Sequence, residues 1–184
     1  MKIKTYNKLH DSLIQDIYEF ALLMEDNNSP RAIVFAYIYF SLKAELGVFS
    51  IGFMKNKKIG FSYLAKGAPS NPMFRRLKYF AVKRELRKKG CGSKFLKTII
   101  KEEINLSIGC ELACHPSLLE FYKNLNFQYK HDGEARNEII LSLCSNIENR
   151  NKDNHFYDVI IEESSLRDEM LKLEKEYNIE LLSR

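Results

Sequence analysis

The segment that most constrains this chain runs from residue 80 to residue 96. Phe80-Ala81-Val82 leads through a short polar link into Arg87-Lys88-Lys89-Gly90-Cys91-Gly92-Ser93, and an apolar-periodic stretch follows with Phe95, Leu96, Ile99 and Ile100. The pattern is a strand feeding a basic, glycine-containing loop that opens a helix. Any fold that holds it must carry a sheet whose strand end faces a helix N-terminus. There the unbonded amides of the first helical turn and the positive end of the helix dipole point outward together, which makes an anion site. Gly90 and Gly92 let the main chain approach a phosphate, and the basic side chains add charge. The glycine spacing is neither that of a Walker loop nor that of a GxGxxG dinucleotide fingerprint.

The charge distribution points the same way. Residues 75–101 hold eleven bases and one acid, a local excess of +10 in a chain whose net charge is +5, so the remainder sums to −5. A clustered positive field calls for a polyanion, and nucleic acid, a phosphorylated cofactor and a merely solvated face all satisfy it at this stage. With 184 residues, 45% of them hydrophobic, the chain can bury one substantial core and is not of disordered composition. Its first residues lack the apolar core of a secretory signal, and the longest apolar run, residues 32–40, is far short of the roughly 20 residues a membrane span needs. A cytoplasmic protein without membrane contact is expected. Cys91, Cys110, Cys114 and Cys144 form no disulfide framework. Cys110 and Cys114 fall in a predicted strand, where they would sit about 13 Å apart, too far to share one metal ion. Reduced, buried thiols and no metal are the expectation.

Along the chain, residues 2–7 alternate as a strand. Residues 12–26 carry Leu13, Ile17, Phe20, Ala21 and Met24 at helical spacing. Ser29 as N-cap and Pro30 at the first helical position open a buried helix that Gly47 ends. A hairpin follows, residues 48–54 and 59–65, with a turn at residues 55–58. Further expected elements are a strand ending at Val82, a helix over residues 93–104, a strand over 110–114, a helix over 116–125, and an antiparallel pair, 127–130 with 139–143. Strands alternating with helices predict an α/β or α+β sheet domain. Beyond Ser145 the composition shifts. Residues 146–154 read as an Asn-rich linker, 156–161 as a short strand, and Ser165 with Asp168 as a capping box opening a helix with Leu166, Met170, Leu173 and Tyr177 on one face. That gives a domain over residues 1–145 and an acidic extension over 146–184.

The loop Arg87-x-x-Gly90-x-Gly92, after a strand ending in Val82, resembles the acyl-CoA loop of the GNAT acetyltransferases. A second stretch stands at the right distance: Glu120-Phe121-Tyr122-Lys123-Asn124-Leu125-Asn126-Phe127 resembles the family's Phe/Leu-Tyr-x-x-x-Gly-Phe signature. Asn126 takes the place of the Gly, and Asn is the side chain that best tolerates a left-handed backbone. The resemblance spans residues 1–145. It implies a central mixed, mostly antiparallel twisted sheet flanked by helices, and acetyl-CoA as cosubstrate. In that reading the amides of Gly90, Cys91, Gly92 and Ser93, with Arg87, Lys88 and Lys89, hold the pyrophosphate. Phe80, Ala81 and Val82 hydrogen-bond the pantetheine arm.

The resemblance further implies direct acetyl transfer to a primary amine of a small molecule or protein, with Tyr122 as proton donor to the departing thiolate and the Val82 amide polarising the thioester carbonyl. A catalytically degenerate acyl-CoA-binding regulator is the alternative. The base is the weak point. An alkylammonium at pH 7 costs roughly 4–5 kcal/mol to deprotonate, yet residues 74–83 contain no carboxylate and Arg76 stands about where a strand Glu would fall. His115, in place of an Asn seven residues before Tyr122, can titrate near neutrality, or can serve as a structural histidine at the helix start. Glu111 and Glu45 are weaker candidates. Tyr79 and Tyr63 are candidates for the acceptor groove or for the core. Because the basic residues coincide with the cofactor loop, nucleic acid is not the expected partner. The amphipathic C-terminal helix covers the acceptor groove, packs on the core or forms a homodimer contact.

Overall fold

The structure is a computed structural model that describes residues 1–25, 29–68, 73–104, 109–133, 137–144 and 163–182. Seven strands form one sheet in the order β1-β2-β3-β4-β5-β7-β6: β1 (Lys2–Tyr6), β2 (Gly47–Met54), β3 (Lys57–Lys66), β4 (Phe74–Val82), β5 (Gly109–Cys114), β6 (Gln128–Asp132) and β7 (Ile139–Cys144). All neighbours pair antiparallel except β4 and β5, which run parallel. The mixed, mostly antiparallel sheet expected above is therefore present.

Helices cover both faces. On one, α1 (Ile14–Glu25) and α2 (Arg31–Lys43) bury Phe20, Phe35, Ile38 and Leu42 against Phe49, Phe61, Tyr63 and Ala81 of the sheet. On the other, α3 (Cys91–Ile99), extended by one wide turn over Ile100–Ile104, and the short α4 (Leu119–Lys123) close over Leu64, Leu77, Val82, Leu112 and Leu141. Each fully buried Leu, Ile or Phe of this kind contributes about 1.5–3 kcal/mol before chain entropy is set against it. The last helix, α5 (Glu163–Tyr177), joins the first face. Met170, Leu173, Ile179 and Leu181 are buried in the same cluster as α1 and α2. The Tyr39 hydroxyl donates to Glu169 at 3.0 Å, and Gln15 Nε2 donates to the Tyr177 carbonyl at 2.8 Å. Of the three fates open to the amphipathic helix, it takes packing on the core.

Several boundaries differ from the sequence reading, each for a local reason. The cap before α2 is Pro30, not Ser29, with Val34 N–H reaching the Pro30 carbonyl. That helix ends at Lys43, with Ala44 as its C-cap, and the left-handed residue that stops it is Glu45, not Gly47. Glu45 has φ 58°, and Leu46 N–H and Glu45 N–H bond back to Ser41 and Leu42, closing the helix two residues before the glycine. The β2–β3 turn is two residues rather than four, because Lys55 and Asn56 both take positive φ, the tight hairpin conformation. Ser165 lies inside α5 and does not open it. The linker and strand expected over residues 146–161 lie outside the described residues.

One irregularity positions the site. In the β3–β4 ladder Tyr63 faces Tyr79 but Leu64 faces Leu77, so Lys78 is an extra residue in β4. This bulge changes the parity of the strand. Leu77 and then Phe80 and Val82 pack with α3, whereas Tyr79 and Ala81 pack with α1 and α2.

Candidate functional site

The parallel β4–β5 pairing covers only Phe74–Leu77 against Gly109–Leu112. Beyond it β4 continues to Val82 and β5 to Cys114, and the two strands part. Lys83 N–H bonds the Ile59 carbonyl of β3. By alternation Ala81 and Tyr79 also present their main chain to β3, while Phe80 and Val82 present theirs to the open splay. Arg87 Nε donating to the Val82 carbonyl at 3.0 Å agrees with that direction and ties the loop to the strand end.

The loop turns sharply into α3. Lys88 has φ 59° and Gly90 φ 74°, the left-handed region. Gly90 occupies the N-cap, where only a glycine takes that φ without steric cost. Lys94 N–H makes the first helical bond, to the Gly90 carbonyl, so the amides of Cys91, Gly92 and Ser93 precede the helical ladder and point out of its end. A side chain added at Gly92 would meet Val82, Phe80 and Phe121 at 3.5–4.0 Å. The missing side chain thus leaves room in front of those amides. The cleft between loop and splay has a volume of about 480 Å³ and is lined by Phe80, Ala81, Val82, Arg87, Lys88, Gly90, Gly92, Ser93, Leu118, Phe121 and Tyr122. Its chemistry is apolar along the strand and anion-seeking at the helix end.

Of the residues predicted for a cofactor, Lys89 and Cys91 do not line this cleft. Lys89 is exposed and Cys91 is buried beneath the loop, its thiol near the Lys89 carbonyl at 3.9 Å. Lys83, from the same basic run, is bound elsewhere, 2.6 Å from Glu19 on α1.

Tyr122 on α4 is 7% exposed, wedged edge-on between Phe121 and Phe127, and its hydroxyl has no hydrogen-bond partner among the described residues. Burial lifts its pKa well above the ordinary phenol value, with the Cys114 and Cys110 thiols adding to the rise. The group therefore stays a proton donor at any physiological pH. The left-handed end of α4 falls on Asn126, φ 68°, as the signature requires. His115 caps the turn before α4: its Nδ1 accepts the Ser117 amide at 3.2 Å and meets the Ser117 hydroxyl at 2.8 Å. With the Nδ1 lone pair so engaged, the neutral ring carries its proton on Nε2, and protonating Nδ1 would break the cap.

The two weaker carboxylates are paired. Glu111 is buried with Lys130 at 2.7 Å, each side chain 8% exposed, and Glu45 pairs with Lys8 at the surface. Tyr63 is core, 0% exposed. No group of His, Cys, Asp and Glu among the described residues could hold a metal ion, and Cys91, Cys110 and Cys114 are buried free thiols.

A second cavity, about 540 Å³, lies on the far side of the splay. It meets the first across Phe80, Leu118 and Tyr122, which line both. Tyr79, Lys78, Cys114, His115, Asn137 and Glu138 line it as well, with Met24 and Ser29 from the helical face. Burial and then Glu138 push the Cys114 thiol up to about 11. Sequence reading missed Lys78 and Glu138: the first is visible only through the β-bulge, and the second stands in a polar turn with no motif around it.

Comparisons with known proteins bear on the fold. No family model and no curated protein matches the chain. Solved structures do. A GNAT-family acetyltransferase from Staphylococcus aureus has a TM-score of 0.55 at 18% identity, over 77% of this chain and 98% of that one. An acetyltransferase from Bacillus subtilis, in complex with CoA, has 0.55 at 19%, over 78% and 97%. The PaiA N-acetyltransferase from Thermoplasma acidophilum, in complex with coenzyme A, has 0.54 at 18%, over 78% and 99%. The chain has the GNAT fold. No helix among the described residues is long and apolar enough to cross a membrane.

Proposed function

We propose that this protein binds acetyl-CoA in the first cleft and transfers the acetyl group directly to a primary amine in the second cavity. The observation that carries the reading is the meeting of the two cavities at Tyr122: an anion-seeking helix end and an open strand edge on one side, a polar chamber on the other. The solved structures of this fold that hold CoA support the choice of ligand.

In this reading the pyrophosphate sits at the first turn of α3, on the amides of Gly92 and Ser93, where the α3 dipole and the Arg87 and Lys88 side chains favour negative charge. The pantetheine arm adds to the open edge of β4 through the main chain of Phe80 and Val82, as an extra strand would. The thioester then lies between Phe80, Leu118 and Tyr122. The amine attacks its carbonyl carbon, the C–N bond forms and the C–S bond breaks. The Val82 amide is the candidate donor to the developing oxyanion, and the thiolate takes a proton from Tyr122. A thiol held near 11 is a poor nucleophile at pH 7, which favours direct transfer over an acetyl-Cys114 intermediate. His115, fixed as a cap, serves here to hold the start of α4 and not as the base.

Calorimetry with acetyl-CoA, followed by thiol release against a panel of alkylamines, polyamines, amino acids and peptides, tests this. Binding with amine-dependent thiol release is expected. Binding with no turnover on any amine would point to the regulatory alternative, and absence of binding would overturn the reading.

A further inference from the structure

The base that the strand lacks has a counterpart across the second cavity. Glu138 immediately precedes β7, whose Ile139 pairs with Cys114, so the register sets Glu138 beside His115 at the splayed end of β5. Its backbone is anchored by Gly133 N–H donating to the Glu138 carbonyl at 2.9 Å. Its side chain lies over Gly133, where a Cβ would come within 2.6 Å of Oε2. Half-buried, it lines the chamber with no ion-pair partner among the described residues. The other formally charged side chain of the chamber among the described residues, Lys78, sits over the Tyr37 ring at 4.8 Å from its centroid. Glu111, the buried acid of this half of the sheet among the described residues, is engaged by Lys130.

Resting on the acetyltransferase reading above, we infer that Glu138 is the acceptor-site carboxylate, which receives the ammonium form of the acceptor and takes its proton. The acceptor class is then a cationic primary amine that binds protonated. Of the two protons the ammonium loses, one passes to Glu138 and on to solvent. The other replaces the proton that Tyr122 gives to the thiolate, so charge and hydrogen balance around the acetyl transfer. Among the described residues, the titratable groups that line the chamber with Glu138 are Lys78 and Tyr79 from β4, Cys114 and His115 from the end of β5, and Tyr122 from α4.

The test compares wild type, Glu138→Gln and Glu138→Asp as full-length proteins, with n-butylamine and the best amine of the panel as acceptors. In Glu138→Gln, acceptor kcat/KM at pH 7 should fall on the order of 100-fold, with acetyl-CoA affinity within about twofold and Glu138→Asp recovering part of the loss. The deficit should shrink as pH rises toward 10, where a growing share of the amine arrives neutral and no longer needs the carboxylate. A merely structural role gives a deficit independent of pH, and that result, or an unchanged acceptor kcat/KM, would overturn the inference. Should no amine turn over, the catalytic reading fails separately. The inference is then read from n-butylammonium binding to the CoA complex: loss in Glu138→Gln supports it, and equal binding in both proteins overturns it.

Discussion

The two cavities that meet at Tyr122 are built in opposite ways. The first cleft is made largely of one continuous stretch, residues 80–93, and beside the Arg87 and Lys88 side chains its polar groups are main-chain ones: the splayed edge of β4 and the first amides of α3. The second cavity is assembled from α1, the residue before the cap of α2, the bulge of β4, the end of β5, the Leu118–Tyr122 turn and helix, and the turn before β7, and its polar groups are carried by side chains. A site built from main chain needs special backbone geometry, hence glycines at fixed spacing. A site built from side chains on six segments needs only that the fold bring them together. The cleft is therefore tied to local sequence, and the chamber is free to change its ligand one residue at a time.

If the comparison holds, damage to the helical face should reach the chamber and spare the cleft. Met170 is 0% exposed against α1 and α2, which carry Met24 and lead to Ser29 at the chamber wall. Met170→Ala should cost about 2–5 kcal/mol of stability, read as a lower denaturant midpoint, while the acetyl-CoA Kd of the folded protein stays within twofold. A parallel loss of cofactor affinity in folded protein would show the two sites to be one unit. The converse is Gly92→Asp. The new Cβ fits at ordinary contact distances, but it brings a carboxylate in front of the first-turn amides. Acetyl-CoA affinity should fall on the order of 100-fold, about 2.7 kcal/mol, with the melting temperature nearly unchanged.

The same contrast explains what could be read from the residues in advance. The loop, the two ends of α4 and the strand–helix alternation are local and periodic, so Gly90 was legible as a point of close main-chain approach and Asn126 as a left-handed position, and the resemblance these motifs carry implied the mixed sheet. The end of α2 was misassigned to Gly47 because Glu45 takes the left-handed turn, a conformation held by the bonds to Ser41 and Leu42 that no propensity foretells. Lys78 and Glu138 were invisible for a stronger reason. Their placement depends on a bulge and on the β5–β7 register, both set by pairings between strands distant in sequence. The burial of α5 was legible as an unmatched apolar face, but not what it would cover.

Tyr122 lies where the two constructions meet, so its removal should affect chemistry and neither binding step. Tyr122→Phe keeps the ring that packs against Phe121 and Phe127 and removes only the hydroxyl. The leaving thiol has a pKa near 8.5, so it can depart without help, and kcat should fall about tenfold rather than to zero. Acetyl-CoA Kd should not move. The sign of the pH dependence follows from burial. A phenol raised above its usual range donates below its folded pKa and stops only as pH rises through it, so wild-type kcat should show no basic decline up to pH 10. A decline centred near pH 8–9 would remove Tyr122 from the proton-donating role.

The smallest effects separate the basic residues that serve the cleft from those that serve the fold. Lys83 and Lys88 sit five residues apart in the same positive run, yet Lys83 is held by Glu19 at 2.6 Å, whereas Lys88 is exposed on the lip of the cleft in a left-handed turn. Lys88→Gln should weaken acetyl-CoA binding roughly three- to tenfold at low ionic strength. The difference should narrow as salt shortens the screening length to a few ångströms. Lys83→Gln should leave that affinity within twofold at any salt concentration and lower only the melting temperature slightly, through the lost contact to α1. Equal, salt-dependent losses in both variants would mean that the whole run acts as a diffuse positive field. The cleft would then owe its affinity to net charge rather than to the main-chain geometry that distinguishes it from the chamber.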